Sequence, residues 1–208
     1  MTDSRAGLER ALESLSGFAE PVASLEQYQT PADIAAHIVH LAWVNGDIEG
    51  HQVVDLGCGT GLLGLGAALR APAWVLGIDI DPEVLLTARR NADHLAVESR
   101  LAWCHGDVAS LPIDGPEETT VLMNPPFGAQ QGHTHADRPF LAAASSLAAV
   151  SYSVHNAGSR AFVESYAADS GGTVTEGHEA TLDLPHQFEF HDERRRQISA
   201  EVFRIEWR

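Results

Sequence analysis

Four consecutive residues, Asn124-Pro125-Pro126-Phe127, combine a side-chain amide, two rigid backbone units and an aromatic ring. They follow a short apolar run, Thr120-Val121-Leu122-Met123, that reads as a buried strand. The tetrapeptide therefore leaves the end of a strand as a stiff, exposed loop. Proline locks its own φ and pushes the residue before it towards an extended conformation, so Asn124 and Pro125 are both held. That backbone presents the Asn124 amide and the Pro125 carbonyl outward, with the ring close by. Two acceptors and a ring suit a planar amino group: the acceptors take its N–H bonds and the ring stacks on its flat neighbour. Taken alone, the same residues also describe an ordinary Pro-Pro turn.

A second group with chemical potential is Asp55-Leu56-Gly57-Cys58-Gly59-Thr60-Gly61, placed between a strand pattern and a helix pattern. Glycines belong where the backbone turns tightly and must approach a ligand without a Cβ in the way. Asp79 ends the next strand pattern, where an acid accepts hydrogen bonds from both hydroxyls of a ribose. A dinucleotide site asks for Gly-x-Gly-x-x-Gly, so that a helix N-terminus faces a pyrophosphate. Here the spacing is Gly57-x-Gly59-x-Gly61, with the carboxyl of Asp55 beside the loop. A carboxylate is wrong for a pyrophosphate and right for a ligand carrying an ammonium and a sulfonium. Asp107, after the third strand pattern, stands where an adenine amino group would be received. S-adenosylmethionine carries all of these groups.

The elements that must position these residues alternate simply. Leu8, Leu12 and Leu15 have helical spacing within residues 3–15, and a second helix is expected from Pro31 to about Val44, with Thr30 as its cap. Strands are expected at Gln52–Leu56, Ala73–Ile80, Arg100–His105, Thr119–Met123 and Val150–Val154. Helices are expected at Gly61–Arg70, Pro82–Ala96, Arg138–Ala148 and Ser159–Ser170. Two longer strands close the chain, about Thr173–Leu184 and Ile198–Trp207, joined across Pro185–Gln197. Alternation of strand and helix argues an α/β fold with a doubly wound, mostly parallel sheet. The closing pair argues an antiparallel edge. Residues 1–208 read as one domain, with residues 1–48 as an N-terminal helical extension.

Composition narrows the setting. The net charge is −16, and all 13 basic residues are arginine. An acidic, lysine-free surface is expected of a protein working in concentrated salt, where screening tolerates self-repulsion. On charge alone nucleic acid is a poor partner. The run Arg194-Arg195-Arg196 is the exception. No run approaches the ~20 apolar residues that a membrane span needs, and Met1 to Arg10 has no signal-peptide core. Cys58 and Cys104 lack metal-type spacing and fit a reducing cytoplasm. His133 and His135 follow the Asn-Pro-Pro motif without enough nearby ligands for a metal site, and the other histidines read as surface residues.

Glycine loop, ribose acid and Asn-Pro-Pro-Phe, in this order, resemble the class I amino-methyltransferases. More narrowly, the chain resembles an archaeal and eukaryotic methyltransferase-like family that modifies adenine N6 in small-subunit ribosomal RNA. The resemblance runs through Leu25-Glu26-Gln27-Tyr28-Gln29-Thr30-Pro31, Asp55 to Gly59, Gly77-Ile78-Asp79-Ile80-Asp81 and Met123 to Gly128. It continues in Tyr152-Ser153-Val154-His155, Asp183-Leu184-Pro185 and Phe190-His191. It implies a seven-stranded class I, Rossmann-like methyltransferase fold. It also implies cofactor contacts at Gln27, Thr30, Gly57, Thr60, Leu62, Asp79, Asp107 and Val108, with Asn124, Pro125, Pro126 and Phe127 as the catalytic group. Gln27 and Thr30 would close the pocket from the N-terminal extension.

Two departures stand out: Thr60 replaces a cysteine, and a lysine-rich stretch after Phe190-His191 is here Asp192-Glu193-Arg194-Arg195-Arg196. Guanidinium groups still bind phosphate bidentately. The resemblance further implies a small zinc-binding activator protein that adds a strand to the sheet, with Val53, Trp74, Val75 and Leu101–Trp103 as candidates for the edge it uses. Two alternatives stay open. One is a glutamine N5-methyltransferase acting on a release factor; the other is a non-catalytic cofactor-binding scaffold in ribosome assembly.

Overall fold

A computed structural model describes residues 4–111, 118–126, 136–185 and 195–207. Phe127, His133, His135 and Arg194 lie outside the described residues, as do the side chains of Arg195 and Arg196. In chain order the elements are α1 (Arg5–Glu13), α2 (Ala32–Val44), β1 (Gln52–Leu56), α3 (Leu62–Ala68), β2 (Trp74–Asp79), α4 (Pro82–Leu95) and β3 (Leu101–His105). Then come β4 (Thr119–Met123), α5 (Arg138–Leu147), β5 (Val150–Asn156), α6 (Arg160–Asp169), β6 (Thr173–Pro185) and β7 (Arg195–Glu206).

The seven strands form one sheet in the order β3-β2-β1-β4-β5-β7-β6. The first five run parallel, and β7 is antiparallel to both β5 and β6. Strand order reverses between β1 and β4, so the loops after these two strands diverge at one end of the sheet. That crevice is where open α/β sheets bind ligands. It receives both the glycine loop and Asn124.

Side chains alternate across each strand with period two, and the two faces bury separate cores. Val53, Leu122 and Tyr152 point to the face covered by α1, α2 and α3. Val54, Val121 and Met123 point to the face covered by α5 and α6. Leu122, in the central strand β4, is fully buried. We expect Leu122→Ala to lower unfolding free energy by about 2–5 kcal/mol in chemical denaturation, from lost burial plus a cavity.

Local chemistry explains most boundaries. Ser4 caps α1 by accepting the Gly7 N–H at 3.1 Å, and Asp81 caps α4 by accepting that of Glu83 ahead of Pro82. Thr30, expected to cap α2, does not: Pro31 occupies that position without a side-chain bond, and the Thr30 hydroxyl is engaged by Asn124. The closing hairpin is longer than expected. Its ladder runs on to Pro185↔Arg195, because the antiparallel register continues through Arg195, Arg196 and Gln197 rather than ending at Ile198.

The sheet edge also differs in part from expectation. Val53 and Val75 are fully buried on interior strands and are no edge residues; β3 is the terminal strand on that side.

Candidate active site

Asn124 begins the turn after β4. It is half-buried and Pro125 is buried, so the turn is less exposed than its prolines suggest. The Asn124 Nδ2 group donates to Thr30 Oγ1 at 2.8 Å. Its Oδ1 is buried and finds no hydrogen-bond partner among the described residues. A buried acceptor left without a partner is costly in a folded protein, and a ligand donor is one way to satisfy it.

Across the crevice, the glycine loop has φ of +65° at Gly57 and +53° at Gly59. A Cβ at Gly57 would come within 2.8 Å of Phe140 Cε1, and one at Gly59 within 3.1 Å of Phe18 Cζ. Conformation therefore favours glycine at both positions, and at Gly57 the close approach of Phe140 does so as well.

Asp55 supports this loop from beneath rather than facing a ligand across open space. It is buried, and its Oδ2 accepts the Gly64 N–H in the first turn of α3 at 2.7 Å. Burial pushes its carboxyl up to about 7, opposed by the Gly64 bond and assisted by the charge of Asp79. A folded-state pKa above the unfolded value means that stability is fully present below the unfolded pKa and falls as pH rises towards 7. The difference in unfolding free energy between Asp55→Asn and wild type should thus move in favour of the variant, by about 2–4 kcal/mol between pH 4 and pH 8. A difference that does not vary with pH would show that Asp55 is ionised throughout.

Asp79, at the end of β2, ties the crevice together. Its Oδ2 accepts the Gly59 N–H at 2.7 Å and its Oδ1 accepts the Asp81 N–H at 2.9 Å. Burial raises its pKa, and these backbone bonds oppose the rise. A carboxylate offers about four lone-pair sites, so two remain for ligand hydroxyls.

Residues 14–31 cross this crevice as a strap. Gln27 Oε1 accepts the Val22 N–H at 2.8 Å, while its Nε2 donates to Asp81 Oδ2 at 2.7 Å. The Gln27 side chain thus pins the strap to the start of α4. Farther back, the buried Asn91 of α4 accepts the Ser16 N–H and donates to the carbonyls of Ser16 and Thr60, at 2.9–3.0 Å. One amide therefore joins strap, helix and glycine loop.

The result is a cavity of about 340 Å³ beside a smaller one of about 40 Å³. Gln27, Gly57, Asp79, Asp107, Val108, Asn124 and Pro126 line the larger. Thr30, Thr60 and Leu62 line the smaller, which Gly57 and Asn124 share. Pro125 is packed beneath and lines neither. Asp107 is exposed, and its Oδ1 accepts the Ala109 N–H at 2.9 Å. Of the cofactor-binding and catalytic residues expected from the sequence, the described ones other than Pro125 line one cavity or both; Phe127, Arg194 and the side chains of Arg195 and Arg196 lie outside the described residues.

Sequence reasoning did not single out Phe18, Ile80 or Phe140, which also line the larger cavity. Phe18 is an isolated aromatic in a polar linker, and that was the available signal. Nothing in the residues around Phe140 announces that it packs on Gly57 from the start of α5.

Glu26, Asp79 and Asp107 line the larger cavity and Asp55 the smaller, and the described lining residues include no basic side chain. Such a crevice repels a pyrophosphate and suits a cationic nucleoside. A glycine cradle that a Cβ would fill, a ribose-type acid after β2 and an open amide acceptor after β4 fit S-adenosylmethionine. Together with the reversed strand order they define a class I, Rossmann-like, S-adenosylmethionine-dependent methyltransferase.

Residues 32–150 match the family described as "Methyltransferase small domain", and the chain belongs to that family. An uncharacterized protein of Methanocaldococcus jannaschii is 39% identical over 207 residues, covering 96% of this chain and 92% of that protein. The Drosophila melanogaster rRNA N(6)-adenosine-methyltransferase is 32% identical, covering 96% of this chain and 94% of its own length. The crystal structure of a Pyrococcus horikoshii protein superposes with a TM-score of 0.89. It shares 35% identity over 100% of this chain and 99% of its own. Among the described residues no helix is long and apolar enough to cross a membrane.

Proposed function

We propose that this protein methylates the exocyclic N6 of an adenine in RNA, most specifically small-subunit ribosomal RNA. The observation that carries this reading is the Oδ1 of Asn124, a residue lining both cavities, which is buried and has no hydrogen-bond partner among the described residues. Near-full-length similarity to a named rRNA N(6)-adenosine-methyltransferase supports it.

When bound, S-adenosylmethionine would supply an electrophilic methyl group for transfer to nitrogen. The chain's own part is to position and to stabilise. Asp79 would hold the ribose hydroxyls, Asp107 the adenine amino group, and Gly57, Thr60, Leu62 and Val108 the surrounding surface. Gln27 and Thr30 would close the strap over them.

Adenine N6 is a poor nucleophile because its lone pair is delocalised into the ring. Asn124 Oδ1 would accept one of its hydrogens and the Pro125 carbonyl, buried until the base enters, the other, favouring pyramidal nitrogen and stabilising the positive charge that grows on N–H. Pro126 keeps the turn rigid, and Phe127 would stack on the base, worth about 1–3 kcal/mol by comparison with other base–aromatic pairs. The methylated amine is acidic enough to release its extra proton to water. A base must leave its stack to enter such a crevice, so the substrate adenine is single-stranded or flipped.

RNA would be guided by Arg194, Arg195 and Arg196. The β6–β7 ladder continues past the last β5 pair, Asn156↔Ala200, to Pro185↔Arg195. At ~3.3 Å per residue it rises roughly 15 Å beyond β5. It does so at the end of the sheet that carries Asn124, which supports a phosphate-binding arm beside the crevice.

The proposal includes a small zinc-binding activator protein, forming a heterodimer by pairing with β3. Among the described residues that strand pairs with β2 alone, and it exposes Ala102 and Cys104. The opposite edge, β6, is broken by an irregularity between Val174 and Glu176, which disfavours strand addition there. We place the protein in the cytoplasm.

Incubation with labelled methyl donor, in high salt and with the activator, tests the reading. Bare small ribosomal subunits should take the label and release factor should not. Label in release factor, or in neither, would overturn it.

A further inference from the structure

Thr30 and Asn124 lie far apart in the chain, and both precede a proline. Each is thereby biased towards extended backbone, and the two meet from opposite sides of the crevice. Their hydrogen bond is asymmetric in its consequence. Tying Nδ2 to the Thr30 hydroxyl at 2.8 Å leaves Oδ1 buried and without a partner among the described residues. The reversed amide would leave a buried NH2 facing an incoming amine, donor against donor, and orphaned buried N–H groups are the rarer and costlier case.

We propose that Thr30 is a positioning residue: its hydroxyl fixes the amide orientation of Asn124, so that an acceptor faces the crevice before the substrate amine arrives. This goes beyond a cofactor contact for Thr30 and rests on the amine-methylating reading of the site. Thr30 ends a strap pinned by Gln27 to Asp81 and by Ser16 to Asn91, so the segment that crosses the crevice also holds the amide of Asn124.

The test uses full-length Thr30→Val, which keeps side-chain shape and removes the hydroxyl, and Thr30→Ser, which restores it. Thr30→Val should lower kcat about 10–100-fold, less than the roughly 10²–10³-fold for losing a preorganised polar group that itself contacts the substrate. At saturating S-adenosylmethionine the loss in kcat should exceed any loss of calorimetric affinity for the cofactor, and Thr30→Ser should recover most of the rate. A second readout needs no turnover. In the unliganded protein, side-chain amide protons of Asn124 should exchange faster in Thr30→Val than in wild type, and slowly again in Thr30→Ser. Unchanged Asn124 exchange, or a rate loss matched by an equal loss of cofactor affinity, would overturn the proposal. If wild type itself methylated no adenine, the functional reading would fail while the exchange measurement still decided the role of Thr30.

Discussion

Asn124→Ala should bind S-adenosylmethionine within about threefold of wild type and lose methyl transfer by about 10²–10³-fold or more, the range for removing one preorganised polar contact. The separation follows from the geometry. The cradle for the cofactor is built by Gly57, Gly59 and Asp79, whose hydrogen bonds do not involve Asn124. What the substitution removes is the open Oδ1, together with the Nδ2 bond to Thr30. The expected kinetic signature is a fall in kcat without a compensating rise in donor KM, as for an interaction made in the transition state. Calorimetry and single-turnover label transfer read the two quantities independently. Transfer at a near wild-type rate would remove Asn124 from the mechanism.

Asp79→Ala should have the opposite profile, with cofactor binding weakened by roughly 10²–10⁴-fold. Two hydrogen bonds from ribose hydroxyls to a charged acceptor are worth about 1.5–3 kcal/mol each. The N–H of Gly59 also loses its acceptor, so the loop at φ +53° loses the bond that holds it. Saturating donor should recover a large part of the turnover, because the amine grip is intact. Loss of turnover that no donor concentration restores would mean that Asp79 has a part in the methyl-transfer step.

Much of this arrangement is legible in the chain. Pro82 behind Asp81, the glycine loop between a strand and a helix, and the buried run into Asn124 each carry a local rule, and each element forms where that rule puts it. The seven-stranded, mostly parallel sheet with its antiparallel pair follows from the same alternation. What local rules miss is set by distant partners. Thr30 looks like a helix cap until β4 brings Asn124 to its hydroxyl. Asp55 looks like a ligand for a cation, yet the Gly64 N–H claims it from below. The strap is held by Asn91 through a separation in sequence of 75 residues that no periodicity reports. Val53 and Val75 read as candidate edge residues because strand order is not visible in a single chain; β1 and β2 are interior.

The central claim is that the Asn-Pro-Pro turn grips the exocyclic amine of adenine. Its most direct test is mass spectrometry of nucleosides released from small-subunit rRNA after incubation with wild type and with Asn124→Ala. N6-methyladenosine should appear with wild type, at one molecule per RNA or fewer, and fall to background with the variant. A different methylated nucleoside, or N6-methyladenosine formed equally by both proteins, would contradict the account.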